Sequence, residues 1–91
     1  MSTYRFLVSG RVQGVGFRAF VVRLAEQNGY AGEVWNCRNG DVEGVVLLDD
    51  SSTLKAFESA LKKGPGRVDS VVTAPTSADE NFDGFRVSFS R

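Results

Sequence analysis

The segment Gly10-Arg11-Val12-Gln13-Gly14-Val15-Gly16 stands between two apolar patterns of different period. Before it, Tyr4, Phe6 and Val8 alternate with Arg5, Leu7 and Ser9, the two-residue period of a strand. After it, Phe17, Phe20, Val21, Leu24 and Ala25 follow the i, i+3, i+4, i+7, i+8 spacing of a helix, and Asn28-Gly29 is an ordinary helix exit. A strand that enters a helix through a glycine-rich loop is the first half of a βαβ unit. Its right-handed crossover brings the next strand back parallel to the first, with room for one more strand between them.

The remaining patterns complete that layering. Residues Tyr30–Asn36 and Asp41–Leu48 are β-branched or apolar runs separated by Cys37-Arg38-Asn39-Gly40, in which Asn-Gly supplies the positive φ of a tight hairpin. Ser51 or Ser52 is placed to cap a second helix with Leu54, Phe57 and Leu61 on one face and Ala60 between, and Lys63-Gly64-Pro65-Gly66 ends it. Val68–Thr73 reads as a fourth strand, residues 74–83 as a polar loop, and Phe85, Val87 and Phe89 alternate with Arg86, Ser88 and Ser90 in a last strand. The order β-α-β-β-α-β-β predicts an α+β, ferredoxin-like two-layer sandwich: two helices on one face of a four- to five-stranded, mostly antiparallel sheet. With strand three between strands one and two, the Arg11–Gly16 loop and Asn36 should meet at one end of the sheet. Ninety-one residues, 42% of them apolar and seven of them Phe, suit a single domain spanning 1–91.

Charge and absences narrow the chemistry. Eleven basic residues balance eleven acidic ones, so no global field gathers nucleic acid or anionic lipid, and neither partner is expected. The first 25 residues nonetheless carry Arg5, Arg11, Arg18 and Arg23 and no acid, so any anion site should be local and amino-terminal. There is no His, which excludes histidine triads, histidine metal ligands and phosphohistidine, and the lone Cys37 can form neither an internal disulfide nor a cysteine-rich metal site. No metal or cofactor is expected. No run reaches the roughly 18 apolar residues of a membrane span, and the opening residues lack the apolar block of a secretory signal. A cytoplasmic monomer is the expectation.

The glycines of the loop permit backbone angles that turn successive N–H groups inward, a concavity suited to phosphate at a helix amino terminus. Arg18, in the first helical turn, can add a planar fork for two phosphate oxygens. On spacing alone the same residues also make a plain turn and a solvated surface charge. Other phosphate-handling patterns fit poorly. Gly14-Val15-Gly16-Phe17-Arg18-Ala19 has dinucleotide-loop spacing, but the chain is too short for two mononucleotide halves and strand two does not end in an acid. No Gly-Lys precedes a Ser or Thr in the loop, Glu43 stands where a cysteine phosphatase needs Arg six residues after Cys37, and Asp49-Asp50 reads as a helix start. Asn36, a strand-end amide, is either a turn residue or a holder of water through one acceptor and two donors in a fixed plane. Val15–Val21 faintly echoes an RNA-binding signature, but on a loop and helix instead of a strand.

The unbroken run Gly10-Arg11-Val12-Gln13-Gly14-Val15-Gly16-Phe17-Arg18 resembles the signature loop of the acylphosphatases. Gly32, Val34, Asn36, Gly40, Val42, Glu43 and Gly44 resemble their second signature, and Gly64-Pro65, Val68 and Phe82-x-x-Phe85-x-Val87 extend the likeness along almost the whole chain. The resemblance implies a hydrolase that splits a small acyl phosphate into a carboxylate and inorganic phosphate. It assigns the phosphate to Arg18 and to the backbone of Gln13, Gly14, Val15, Gly16, Phe17 and Arg18, and the attacking water to Asn36. Two positions depart from the family pattern: Glu33 and Trp35 stand where a Trp and a basic residue are usual. Both have the strand parity opposite to Asn36, so altered surface or specificity is expected there, with Trp35 packed against strand neighbours on the helix-free face. Cys37 is expected to be a reduced hairpin thiol, and Arg11 and Arg23 solvated charges, with Arg11 at the outer rim. Two alternatives are a non-catalytic phosphate-binding or regulatory module, and the first domain of a hydrogenase-maturation carbamoyltransferase. The want of a cysteine-rich zinc region after Arg91 counts against the second.

Overall fold

Seven elements follow one another: β1 (Ser2–Arg11), α1 (Phe17–Asn28), β2 (Ala31–Asn36), β3 (Val42–Leu48), α2 (Ser51–Leu61), β4 (Arg67–Thr76) and β5 (Phe85–Val87). The structure is a computed structural model that describes residues 2–77 and 82–91. The strands form one sheet in the order β4-β1-β3-β2-β5, antiparallel throughout except for the β2–β5 pair. This is the expected ferredoxin-like arrangement. β3 lies between β1 and β2, as the crossover requires, and Val42 pairs with Val8 on one side and Asn36 on the other. The carboxyl ends of β1 and β2 therefore reach the same end of the sheet.

Alternate residues of each inner strand face the helices. Phe6 and Val8 from β1, Val34 from β2, and Val42, Val46 and Leu48 from β3 are buried against Phe17, Val21 and Ala25 of α1 and Phe57 and Leu61 of α2. The Phe6 ring meets Phe57 edge-on at 5.2 Å between centroids. Phe6 pairs with Gly44, and a Cβ built on Gly44 would collide with the Phe6 ring and the Glu33 carbonyl oxygen. Gly44→Ala should therefore destabilise the fold by about 1–3 kcal/mol, the usual range for overpacking a core. Urea unfolding reads this directly, and an unchanged midpoint would mean that the Phe6 ring does not fill the space over Gly44.

Four local expectations are corrected. The second helix is capped by Asp50, not by Ser51 or Ser52: its carboxylate accepts from the Thr53 N–H at 2.9 Å and from the Ser52 and Thr53 hydroxyls at 2.8 and 2.9 Å. These bonds, led by the Thr53 amide, hold the Asp50 carboxyl below its ordinary value. The cap thus contributes above the ordinary carboxylate range and is lost as pH falls through the lowered folded value. β4 runs on to Thr76, because Thr76 pairs with Thr3. Pro75 is tolerated there because β4 is an edge strand, where a missing N–H need not cost a ladder bond. The rest of the expected 74–83 loop lies partly outside the described residues, at 78–81. β5 ends at Val87, and Phe89 is 92% exposed instead of continuing the alternation inward. The chain still follows β2, with the Ser88 N–H donating to Val34 O and the Arg91 N–H to Asn36 O, both at 2.8 Å.

The fourth correction concerns Glu33, which is not a surface residue. Only 4% exposed, it accepts from the Arg86 guanidinium through Oε2 and from Arg91 through Oε1, all at 3.2 Å. Trp35, 3% exposed, donates through Nε1 to Glu43 Oε1 at 3.2 Å, and the Arg91 guanidinium lies 3.7 Å from its ring centroid. Trp35 is thus packed among strand neighbours, as expected. The two departures from the family pattern build one buried polar cluster that ties the tail to β2.

Candidate active site

The loop after β1 turns on Gly14 (φ 74°) and Gly16 (φ 84°), both left-handed. A Cβ on either would meet nothing within 4 Å, so glycine is needed here for its backbone angles and not for space. Gly16 is the N-cap of α1, with no side-chain cap and no acidic residue in the first turn. The Phe20 N–H donates to Gly16 O at 3.0 Å, which leaves the amides of Phe17, Arg18 and Ala19 without an intrahelical acceptor. An anion at this end meets converging N–H donors and the positive end of the helix dipole.

A cavity of about 280 Å³ opens over these groups. Val12, Gly14, Gly16, Phe17, Arg18 and Ala19 from the loop and α1 line it together with Asn36 from β2 and Val87 from β5. Phe17 contributes backbone, since its ring is buried in the core. Arg18 is half-buried and makes no ion pair among the described residues, so its guanidinium is not neutralised by a carboxylate of the protein. Asn36, the last residue of β2, has the parity of Val34 and faces the helix side. Its Oδ1 is buried without a hydrogen-bond partner among the described residues. Left unpaired, such an acceptor costs about 1–3 kcal/mol, which any hydrogen-bond donor able to reach it would offset.

The structure thus brings together Gly14, Gly16, Phe17, Arg18 and Asn36 of the expected set. The two other members, Gln13 and Val15, expected to act through their backbone, have side chains engaged elsewhere. Val15 packs against the core, and the Gln13 side-chain amide donates to the carbonyls of Cys37 at 2.7 Å and Asp41 at 2.9 Å. Arg11 and Arg23 are exposed, as expected. Burial, and after it the Glu43 and Asp41 carboxylates, push the Cys37 thiol above its ordinary value against the opposing pull of Arg91. Cys37 is therefore protonated at neutral pH and a poor nucleophile, although it adjoins Asn36. Among the described residues no cluster of three or more His, Cys, Asp or Glu is arranged to hold a metal ion. The residue pattern did not reveal Val12, Ala19 and Val87 as cavity walls or the Gln13 side chain as a tie, because no local pattern indicates what a loop side chain reaches across the sheet.

Comparison with known proteins gives a consistent result. A family model described as Acylphosphatase matches residues 4–87. An acylphosphatase of Koribacter versatilis is 45% identical over 93% of this chain and 78% of its own length. The crystal structure of acylphosphatase from Bacillus subtilis superposes with a TM-score of 0.86 and 34% identity, covering 97% of this chain and 99% of that one. A carbamoyltransferase HypF of Rhodobacter capsulatus is 40% identical over 99% of this chain, but the match spans only 12% of the larger protein.

Proposed function

This chain belongs to the acylphosphatase family, and from that premise we propose that its cavity holds the phosphoryl group of a small acyl phosphate while Asn36 directs water at it. The enzyme is an acylphosphatase, a hydrolase of carboxylic–phosphoric mixed anhydrides. One observation supports the assignment of roles: the α1 amino terminus without a side-chain cap, Arg18, and Asn36 with its unpartnered Oδ1 all belong to the lining of one cavity.

In this reading the first-turn amides and the left-handed loop cradle the phosphoryl oxygens, and the Arg18 guanidinium bridges two of them. The Asn36 amide accepts a hydrogen bond from a water and aims its oxygen at phosphorus. The new O–P bond forms as the P–O bond to the acyl group breaks, and the acyl oxygen leaves as carboxylate with the electron pair. The proton of the water passes to a phosphoryl oxygen of the substrate, so the products are a carboxylate and dihydrogen phosphate. The mixed anhydride already has a good leaving group, so positioning and charge stabilisation suffice without a protein base or nucleophile. No helix among the described residues is long and apolar enough to cross a membrane. We place the enzyme in the cytoplasm as a monomeric single domain over residues 1–91, acting on a small molecule with no nucleic-acid partner.

Incubation of the purified chain with an aryl acyl phosphate tests this reading. Turnover is expected, competitively inhibited by inorganic phosphate and unaffected by a chelator. Phosphate binding without turnover would leave only a phosphate-binding module. Activity that vanished with the chelator and returned with a divalent ion would contradict the metal-free mechanism.

A further inference from the structure

We infer that Gln13 is a positioning residue of this reaction, whose side-chain amide fixes the spacing between the phosphate cradle and the Asn36 that orients the water. The inference rests on the roles proposed above for Arg18 and Asn36. Its basis is where the β ladder stops. β1 pairs with β3 only as far as Val8↔Val42, and beyond that point Ser9, Gly10 and Arg11 pair with β4 alone. The cradle loop therefore leaves the sheet with no backbone ladder connecting it to β3, and β3 separates it from β2.

The Gln13 amide spans that gap. Its Nε2 donates to Cys37 O at 2.7 Å and to Asp41 O at 2.9 Å, using both hydrogens. Cys37 directly follows Asn36, and Asp41 directly precedes Val42, the β3 residue paired with Asn36. The Cys37 N–H also donates to Asp41 O at 2.8 Å, so the two acceptors are already held together at the closed end of the hairpin. On its own side Gln13 adjoins Gly14, a wall of the cavity. Thus one side chain joins the two backbone segments that carry the phosphate site and the water site, without entering the cavity itself. In-line attack is sensitive to this spacing, since a misplacement of about 1 Å costs roughly 10²-fold.

The test uses Gln13→Ala and Gln13→Met, the second keeping the length of the side chain while removing its donors. With the thermal midpoint still above the assay temperature, both should lower kcat by about tenfold or more, as misplacement of the water predicts. The inhibition constant of inorganic phosphate should stay within about twofold, because the loop amides and Arg18 remain. In an Asn36→Ala background, Gln13→Met should cause little further loss in kcat, because the alignment it maintains has already been removed. Normal kcat in Gln13→Met, a full multiplicative loss on top of Asn36→Ala, or a phosphate constant that worsens in step with kcat would each overturn the inference. If Asn36→Ala by itself leaves kcat unchanged, the proposed role of Asn36 fails, and this inference fails with it.

Discussion

Arg18→Ala should abolish turnover and phosphate inhibition together while leaving the fold intact. Arg18 lines the cavity and its guanidinium makes no ion pair among the described residues, so alanine removes the proposed binding group without leaving a carboxylate partner unpaired. Loss of a charge-assisted fork at oxygens where charge develops costs about 3 kcal/mol or more, on the order of 10² to 10³ in rate. Arg18→Lys should rescue poorly, because a point charge cannot bridge two oxygens in one plane. Measurements of kcat/KM, the phosphate inhibition constant and the thermal midpoint separate these effects. Near-normal turnover in Arg18→Ala would overturn the cradle.

Asn36→Ala should lower kcat by about 10² while leaving phosphate affinity nearly unchanged, since the proposed mechanism gives the water to the amide and the anion to the cradle. The Oδ1 it removes is a buried acceptor without a partner among the described residues. Its loss relieves a desolvation penalty of about 1–3 kcal/mol, so the variant should be no less stable than the parent. In the proposed role, an amide held without a partner is a case of function maintained against stability. Asn36→Asp sharpens the test. A carboxylate can accept the proton of the water, but it stands close to the phosphate dianion, so phosphate should bind more weakly with no gain in rate. A variant Asn36→Ala that weakens phosphate binding as much as Arg18→Ala, with kcat intact, would make Asn36 a phosphate ligand instead.

Much of this was legible in the residue order because it is written in short-range periods. The alternation at Tyr4–Ser9 and the helical spacing from Phe17 both became the elements they indicate. The crossover rule places Asn36 beside the Arg11–Gly16 loop, and residues of both line the cavity. Boundaries were less legible where a partner decides them. Thr76 is a strand residue because Thr3 lies beside it, and Phe89 leaves the strand although the alternation continues through it. Asp50 capped α2 in place of the serines, a choice between adjacent residues that all suit the role.

The residue order alone settled the local periods of β1 and α1, the glycines that permit positive φ between them, and the Arg placed in the first helical turn. Those depend on interactions within a few residues, which composition and spacing express directly. Only the tertiary structure decided that Glu33 is buried between Arg86 and Arg91, 53 and 58 positions away, and that Gln13 reaches the carbonyls of Cys37 and Asp41, 24 and 28 positions away. A charged or amide side chain has the same local preferences whether it meets water or a distant partner. Its partner is chosen by strand order and register, which arise when the whole sheet buries its apolar face against the helices.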